Sequence, residues 1–87
     1  MNGRAVPLAG VMEVDLHGMT QYQAEIAVDA ALRRANRSVY RIRVIHGYHG
    51  GRALQSMVRS RYAKDPKVLR IELGANPGET DLVLREY

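Results

Sequence analysis

The sequence lacks cysteine, phenylalanine and tryptophan among its 87 residues. Without cysteine, a disulfide framework and a thiolate metal site are both excluded, as expected for a protein of a reducing compartment. Without the two bulkiest apolar rings, aliphatic side chains, alanine, methionine and the five tyrosines must fill the core. Because 46% of the residues are apolar, the chain suffices for one domain with a modest core.

Long hydrophobic runs are also missing. No stretch approaches the roughly 18–20 apolar residues that cross a membrane, so we expect no membrane partner. The first ten residues carry one arginine, and Pro7 and Gly10 interrupt their short apolar stretch, which is not the pattern of a secretory signal. We expect a flexible arm over residues 1–10, one domain over residues 11–87 and a cytoplasmic location.

Lysine is scarce in a sequence that is nevertheless basic. Only two of the 13 basic residues are lysine, and the formal net charge is +4. The others are arginine, whose planar guanidinium makes bidentate contacts to phosphate and stacks on bases. This composition fits a surface that binds a polyanion, and it fits equally a soluble basic surface without a specific partner.

Two kinds of segment alternate along the chain. VMEVDLHG and VYRIRVIHG alternate apolar and polar residues, and KVLRIELG and DLVLREY are two further short segments separated by the turn sequence ANPGET, so we predict four strands. QYQAEIAVDAALRRAN and RALQSMVRSRYAK have apolar residues at helical spacing. Thr20 and Gln23 form a capping-box pattern at the start of the first helix, and Asp65-Pro66 is expected to close the second. The predicted order is β-α-β-α-β-β.

This order predicts the architecture. Two strand-helix-strand units imply parallel neighbours with right-handed crossovers, and the short Pro77-Gly78 turn predicts that the last two strands are antiparallel. We therefore expect an α/β two-layer domain with a four-stranded mixed sheet. Ligands of such sheets lie beyond the carboxyl ends of the parallel strands, where His17-Gly18 and His46-Gly47 are expected to meet.

The first histidine follows a carboxylate at strand spacing. Asp15 and His17 should leave the same face of the strand, with Leu16 on the other. A carboxylate beside an imidazole fixes its tautomer and raises its basicity, which suits a general base near neutral pH. The alternative is a pair that only stabilises the turn at the strand end.

The second histidine opens the glycine-rich segment HGYHGG, between a predicted strand and a predicted helix. Its glycines are Gly47, Gly50 and Gly51. Such a loop lets backbone N–H groups approach an anion at a helix N-terminus, where Arg52 can hold a phosphate and Tyr48 can stack on a base. The segment is neither a Walker loop nor a dinucleotide fingerprint, and a plain connector is the alternative.

A metal site is a further alternative at this edge. Asp15, His17, His46 and His49 have the ligand types of zinc or of a harder divalent ion. No compact motif such as His-Glu-x-x-His supports a metal. The sequence therefore leaves open whether a divalent metal cofactor is needed.

VDLHG before a Thr-capped helix, followed by VIHG before a glycine-rich loop and an amphipathic helix, resembles the Smr (small MutS-related) domain family. That family is marked by a Leu-Asp-Leu-His-Gly motif and a His-Gly-x-Gly motif. The resemblance covers roughly residues 11–87, with Val14 in place of the first leucine. It implies a fold similar to the C-terminal domain of translation initiation factor 3, in which the fourth strand lies between the second and the third.

The resemblance also implies nucleic-acid binding and, in several members, endonuclease activity that nicks DNA or cleaves RNA. By motif position it implies active-site roles for Asp15 and His17 and for His46 and Gly47, and we place Gly18 among the residues that contact the nucleic acid.

The second motif departs from the family pattern at one position. Three residues after its first histidine the family has glycine, whereas this chain has His49, with Gly50 and Gly51 following. Two hypotheses stay open. In the first, a nuclease uses His17, oriented by Asp15, as base and His46 or His49 as proton donor. In the second, the domain is a non-catalytic nucleic-acid- or ribosome-binding module.

Overall fold

The computed structural model of the chain describes residues 10–47, 52–74 and 76–86. Its elements are, in chain order, β1 (Val11–Asp15), α1 (Gln21–Arg34), β2 (Arg41–Ile45), α2 (Ala53–Tyr62), β3 (Arg70–Leu73) and β4 (Glu79–Val83). The predicted order of strands and helices is confirmed. Within the described ranges, no helix has the length and apolar character needed to cross a membrane. Residues 1–9 of the predicted arm lie outside these ranges.

The four strands form one mixed sheet in the order β1-β2-β4-β3. β1 and β2 are parallel, and β4 runs antiparallel to both of its neighbours. The predicted two-layer α/β class, the antiparallel last pair and the position of β4 between β2 and β3 are confirmed. Because β1 and β2 run in the same direction, both end at one edge of the sheet.

One face of the sheet and both helices enclose the core. Ile42 and Val44 on β2 and Leu82 on β4 are fully buried. The helices pack against them with apolar faces. The buried members of these faces are Ala24, Val28, Ala31 and Leu32 from α1 and Met57, Val58 and Tyr62 from α2. The sheet and the two helices therefore form the expected two layers.

Tyr62 links the two helices through a polar contact inside this core. Its hydroxyl donates to Oδ1 of Asp29 at 2.7 Å. Burial of the ring, together with this hydrogen bond, raises the pKa of Tyr62 to about 12. The neutral phenol is thus the form that the fold stabilises.

The first helix begins as its sequence predicts. Oγ1 of Thr20 accepts the backbone N–H of Gln23 at 3.1 Å, and Oε1 of Gln23 accepts the backbone N–H of Thr20 at 3.0 Å. This reciprocal capping box satisfies donors that have no partner inside the helix. It fixes the start of α1 at Gln21, four residues after His17.

The other face of the sheet carries alternating charges. Asp81, which is only 3% exposed, accepts from Nη1 of Arg41 at 2.7 Å and from Nε of Arg43 at 3.2 Å. Hydrogen bonds from Arg70 and Arg41 lower the pKa of Glu72. We call this surface the charged face; it comprises Glu13, Arg41, Arg43, Arg70, Glu72, Glu79 and Asp81.

The structure corrects the predicted bounds at both ends of β4. The strand begins at Glu79, two residues earlier than predicted, and it ends at Val83. The turn closes before Glu79, because Asn76 accepts the backbone N–H of Gly78 on Oδ1 at 2.8 Å and that of Glu79 on its carbonyl oxygen at 3.1 Å. Thr80, predicted in the turn, therefore belongs to the sheet.

The predicted end of the second helix is also corrected. α2 ends at Tyr62, before Asp65-Pro66. The chain leaves the helix in a turn in which the backbone N–H of Asp65 donates to the carbonyl oxygen of Tyr62 at 3.2 Å. The helix therefore ends before Pro66, and the proline is not what terminates it.

Candidate functional site

A cleft of about 690 Å³ lies where β1 and β2 end. His17 and Gly18 line one side of it, and His46 and Gly47 line another. The turn before β4 and the start of α2 complete it with Asn76, Gly78, Glu79, Ala53 and Leu54. The expectation that both His-Gly pairs meet at one edge of the sheet is confirmed.

The first His-Gly pair forms an exposed turn. Leu16 is fully buried, whereas the side chain of His17 is exposed at the cleft. Oδ1 of Asp15 accepts the backbone N–H of His17 at 2.9 Å, so the carboxylate contacts the backbone of His17 instead of its ring. Gly18 follows with a φ of +78°, a conformation that favours glycine. Asp15 therefore shapes the turn and leaves the imidazole accessible to a ligand.

The second histidine is buried, and both of its ring nitrogens have partners. The ring of His46 lies with Nδ1 at 2.8 Å from the carbonyl oxygen of Gly47 and Nε2 at 2.8 Å from Oγ1 of Thr80. The residue is 6% exposed, and Thr80 is fully buried. Nε of Arg59 also donates to Oγ1 of Thr80, at 2.9 Å.

These contacts constrain the protons in the chain of hydrogen bonds. A carbonyl oxygen can only accept, so Nδ1 of His46 carries a hydrogen. Arg59 can only donate, so Oγ1 of Thr80 accepts from Arg59, and its second lone pair and its hydroxyl hydrogen can each serve Nε2 of His46. Both ring nitrogens are hydrogen-bonded in either case. The ring then has no nitrogen free for a ligand in the cleft.

The backbone at the second pair is also engaged. The N–H groups of His46 and Gly47 both donate to the carbonyl oxygen of Gly78, each at 2.9 Å. Gly47 has a φ of +74°, which favours glycine. Of the glycine N–H groups that the loop offers to an anion, that of Gly47 is thus already bound to the turn before β4. The cleft wall is thereby tied to the β3–β4 connection.

Four of the predicted ligand-binding residues lie outside the described ranges, namely Tyr48, His49, Gly50 and Gly51. Arg52, which follows them, is exposed and is the residue before the first turn of α2, without a side-chain capping bond. In the chain it directly precedes Ala53, which lines the cleft. Contact of these five residues with phosphate or base stays a prediction.

The described residues do not assemble a metal site. Among residues 10–47, 52–74 and 76–86, no three histidine, aspartate or glutamate side chains are grouped as metal ligands would be. Of the four side chains considered as ligands, His49 lies outside these ranges, and the ring nitrogens of His46 are both hydrogen-bonded.

Three residues of the cleft region were missed by sequence reasoning. Thr80 and Arg59 complete the hydrogen-bond chain of His46, and Glu79 is one of the residues that line the cleft. Thr80 and Glu79 were missed because β4 was predicted to start later. With the strand starting at Glu79, Thr80 and Leu82 share the core face, which places Thr80 opposite Val44.

The profile of the Smr domain family matches residues 14–80, a segment that contains both His-Gly pairs. The chain belongs to the Smr domain family. Smr domains are nucleic-acid-binding and nuclease-related modules. Among solved structures, this Smr domain is similar to the Smr domain of MutS2 from Thermus thermophilus: the identity is 31%, the TM-score is 0.77, and the match covers 86% of this chain and 99% of that chain. No curated protein sequence matches the chain.

Proposed function

We propose that this Smr domain cleaves the phosphodiester backbone of nucleic acid in the cleft, with His17 as the catalytic residue. The observation that supports this function best is the exposed imidazole of His17 at a cleft that both strand ends line. Histidine titrates near neutral pH, so an accessible ring can take up and release a proton during the reaction.

The reaction requires two proton transfers. His17 accepts the proton of the attacking oxygen, from water or from a 2′-hydroxyl of RNA, as that oxygen forms a bond to phosphorus. The bond from phosphorus to the leaving oxygen then breaks, and the leaving oxygen takes up a proton. We assign that donation to His49, because the nitrogens of His46 are committed to Gly47 and Thr80. His46 is then a positioning residue that holds the cleft wall.

A non-catalytic binding module is the second candidate function. It is favoured by the environment of His46, which leaves His17 as the one accessible imidazole in the described part of the cleft. A binding module needs only shape and charge at this edge. It predicts salt-dependent binding without any cleavage.

The decisive experiment offers end-labelled single- and double-stranded RNA and DNA of one sequence to the wild-type domain and to the variants His17→Ala and His17→Gln. We expect cleavage of at least one substrate, and a loss of about 10²–10⁴-fold in rate in both variants, since neither replacement can accept a proton. Because His17 is exposed, both variants should keep wild-type stability within about 0.5 kcal/mol.

Each alternative has its own result. Equal cleavage by wild type and by both variants would trace the activity to a contaminating nuclease and refute the assignment. Binding without cleavage in all three proteins would favour the binding module. If no substrate is bound or cleaved, both candidate functions fail.

A further inference from the structure

The cleft offers little positive charge to a phosphate backbone. Among the described residues that line it there is no lysine or arginine. Arg52 is exposed and directly precedes the lining residue Ala53 in the chain. Attraction of a polyanion therefore requires positive charge elsewhere on the surface.

Positive charge is concentrated at the opposite end of the molecule, where both helices finish. Arg33, Lys67 and Arg85 line a hollow of about 430 Å³ there. The same segments contribute further exposed cations. We call this surface the basic end; it comprises Arg33, Arg34, Arg37, Lys64, Lys67 and Arg85.

Among residues 10–47, 52–74 and 76–86, the cations of the basic end form no ion pair with a carboxylate. Within the described ranges, ion pairs of arginine with carboxylates involve Arg41, Arg43, Arg61 and Arg70. Four of the nine acidic side chains lie on the charged face, and Glu86 pairs with Arg70 of that face. Near the basic end, Oδ1 of Asp65 accepts the backbone N–H of Lys67 at 2.8 Å.

Helix termini explain only part of this accumulation. Arg33 lies in the last turn of α1, where a cation offsets the negative end of the helix dipole. Arg37, Lys64 and Lys67 lie beyond the last residues of the helices. Because like charges repel, their grouping without paired carboxylates costs stability unless an anion binds there.

The spacing of the two ends suits a nucleic-acid backbone. α1 starts at Gln21, which lines the cleft, and Arg33 lies twelve residues later. At about 1.5 Å per residue the two positions are roughly 18 Å apart along the helix, which a duplex spans in about five base pairs. One nucleic-acid molecule can therefore contact the basic end while a phosphodiester lies in the cleft.

We propose that the basic end is a second binding site for the phosphate backbone of nucleic acid and supplies most of the affinity, whereas the cleft supplies the chemistry. This inference rests on the proposed function for its ligand class. Arg33 and Lys67, the two cations of the hollow without a hydrogen-bonded partner among the described residues, are its central contacts.

The test measures binding in the His17→Ala background, so that cleavage does not interfere. Binding of a fluorescein-labelled DNA duplex and of the RNA duplex of the same sequence is followed by fluorescence anisotropy over a series of salt concentrations. The variants are Arg33→Gln, Lys67→Gln and their combination. Arg70→Gln is the matched control, because it removes one exposed arginine that is already paired with Glu72 and Glu86 on the charged face.

We expect each single variant at the basic end to make the dependence of log K on log salt less steep by about one unit, and the double variant by about two, with about tenfold weaker binding at low salt. Arg70→Gln should leave the slope unchanged.

Equal weakening by Arg70→Gln would show that net charge alone matters and would overturn the inference. The inference would also be overturned if the double variant bound nucleic acid as tightly as the His17→Ala protein does. If that double variant, with His17 restored, also cleaves normally, the proposed function stands without the second site. Absence of binding by every protein would overturn both.

Discussion

The two His-Gly pairs look alike in the sequence and differ in the structure by one residue of register. Asp15 pairs with Ile45 at the last position of both strands, so the next residue is Leu16 after β1 and His46 after β2. On β1 the buried position is filled by leucine, and the histidine follows it into solvent. On β2 the histidine itself fills the buried position. The same dipeptide thus provides an accessible ring in one case and a structural ring in the other.

The position of each strand in the sheet accounts for the different surroundings. In the part of the chain that the structure describes, β1 is an edge strand with one neighbour, so its end is open on one side. β2 has β1 on one side and β4 on the other, which brings Thr80 beside His46. A ring at the end of an inner strand finds hydrogen-bond partners on the neighbouring strand, whereas a ring at the end of an edge strand stays free for a ligand.

Among the variants that test this difference between the two histidines, Thr80→Val should have the largest effect on stability and activity. Valine has nearly the shape of threonine but no hydroxyl, so Nε2 of His46 and Nε of Arg59 both lose their partner in a buried place. We expect a loss of about 1–3 kcal/mol in the free energy of unfolding. Cleavage kinetics should show a lower kcat with little change in KM, because the cleft wall moves while the basic end is intact.

Thr80→Ser is the conservative variant for this experiment, since it keeps the hydroxyl. It should restore kcat and most of the stability. If Thr80→Val, at a temperature where it is fully folded, turned over substrate at the wild-type kcat, the hydrogen-bond chain would have no bearing on the site.

A smaller effect is expected at the first pair, and it tests what Asp15 does. Asp15→Asn keeps an oxygen that accepts the backbone N–H of His17, so we expect nearly wild-type stability and activity. Asp15→Ala removes the acceptor and should cost about 1 kcal/mol in the free energy of unfolding. Denaturation and cleavage rates of both variants are the measurements. A loss of activity in Asp15→Asn as large as that in His17→Ala would mean that the carboxylate acts on the imidazole, as the sequence spacing predicts.

The smallest effect on the site is expected from Tyr62→Phe, which removes a buried hydrogen bond remote from the cleft. It should cost about 1 kcal/mol in the free energy of unfolding, comparable with the milder site variants, and leave kcat unchanged. It is therefore a control for Thr80→Val that destabilises the fold at a place remote from the cleft. A parallel drop of kcat in Tyr62→Phe would attribute the effect of Thr80→Val to general destabilisation.

The same variant has a signature at alkaline pH. Because the pKa of Tyr62 is about 12 in the fold against an ordinary value of about 10, the phenol contributes stability that is fully present below pH 10. That contribution is lost as the pH rises from about 10 through 12. Urea denaturation over this pH range should show that the free energy of unfolding falls less in Tyr62→Phe than in the wild type.

Much of the fold could be predicted from local pattern. The capping box at Thr20, the apolar stripes of both helices and the meeting of the two strand ends all depend on short-range spacing and on the rule for parallel strands. The bond between His46 and Thr80 joins residues 34 positions apart. This bond forms because β4 begins at Glu79, and the hydrogen bonds of Asn76 set that start. The turn that Asn76 closes leaves no periodic pattern in the sequence.

The role of Asp15 was out of reach for a related reason. Spacing places Asp15 and His17 on one face of a strand, but the strand ends between them, at Asp15. Beyond that point the side chain meets the backbone N–H that the turn exposes, and the period of two no longer applies. The positions of the strands could be predicted from the sequence. The side-chain contacts that could not be predicted are those that depend on the residue at which a strand begins or ends.

The uneven distribution of charge has a consequence for how quickly a partner is found. With paired charges on one face of the sheet and unpaired cations at the far end of the helices, the molecule has an electric dipole. In the field of a polyanion such a molecule rotates during diffusional encounter, so that the cationic end arrives first. Association should then slow steeply as ionic strength rises and the field is screened within about 10 Å of the surface at 0.1 M salt.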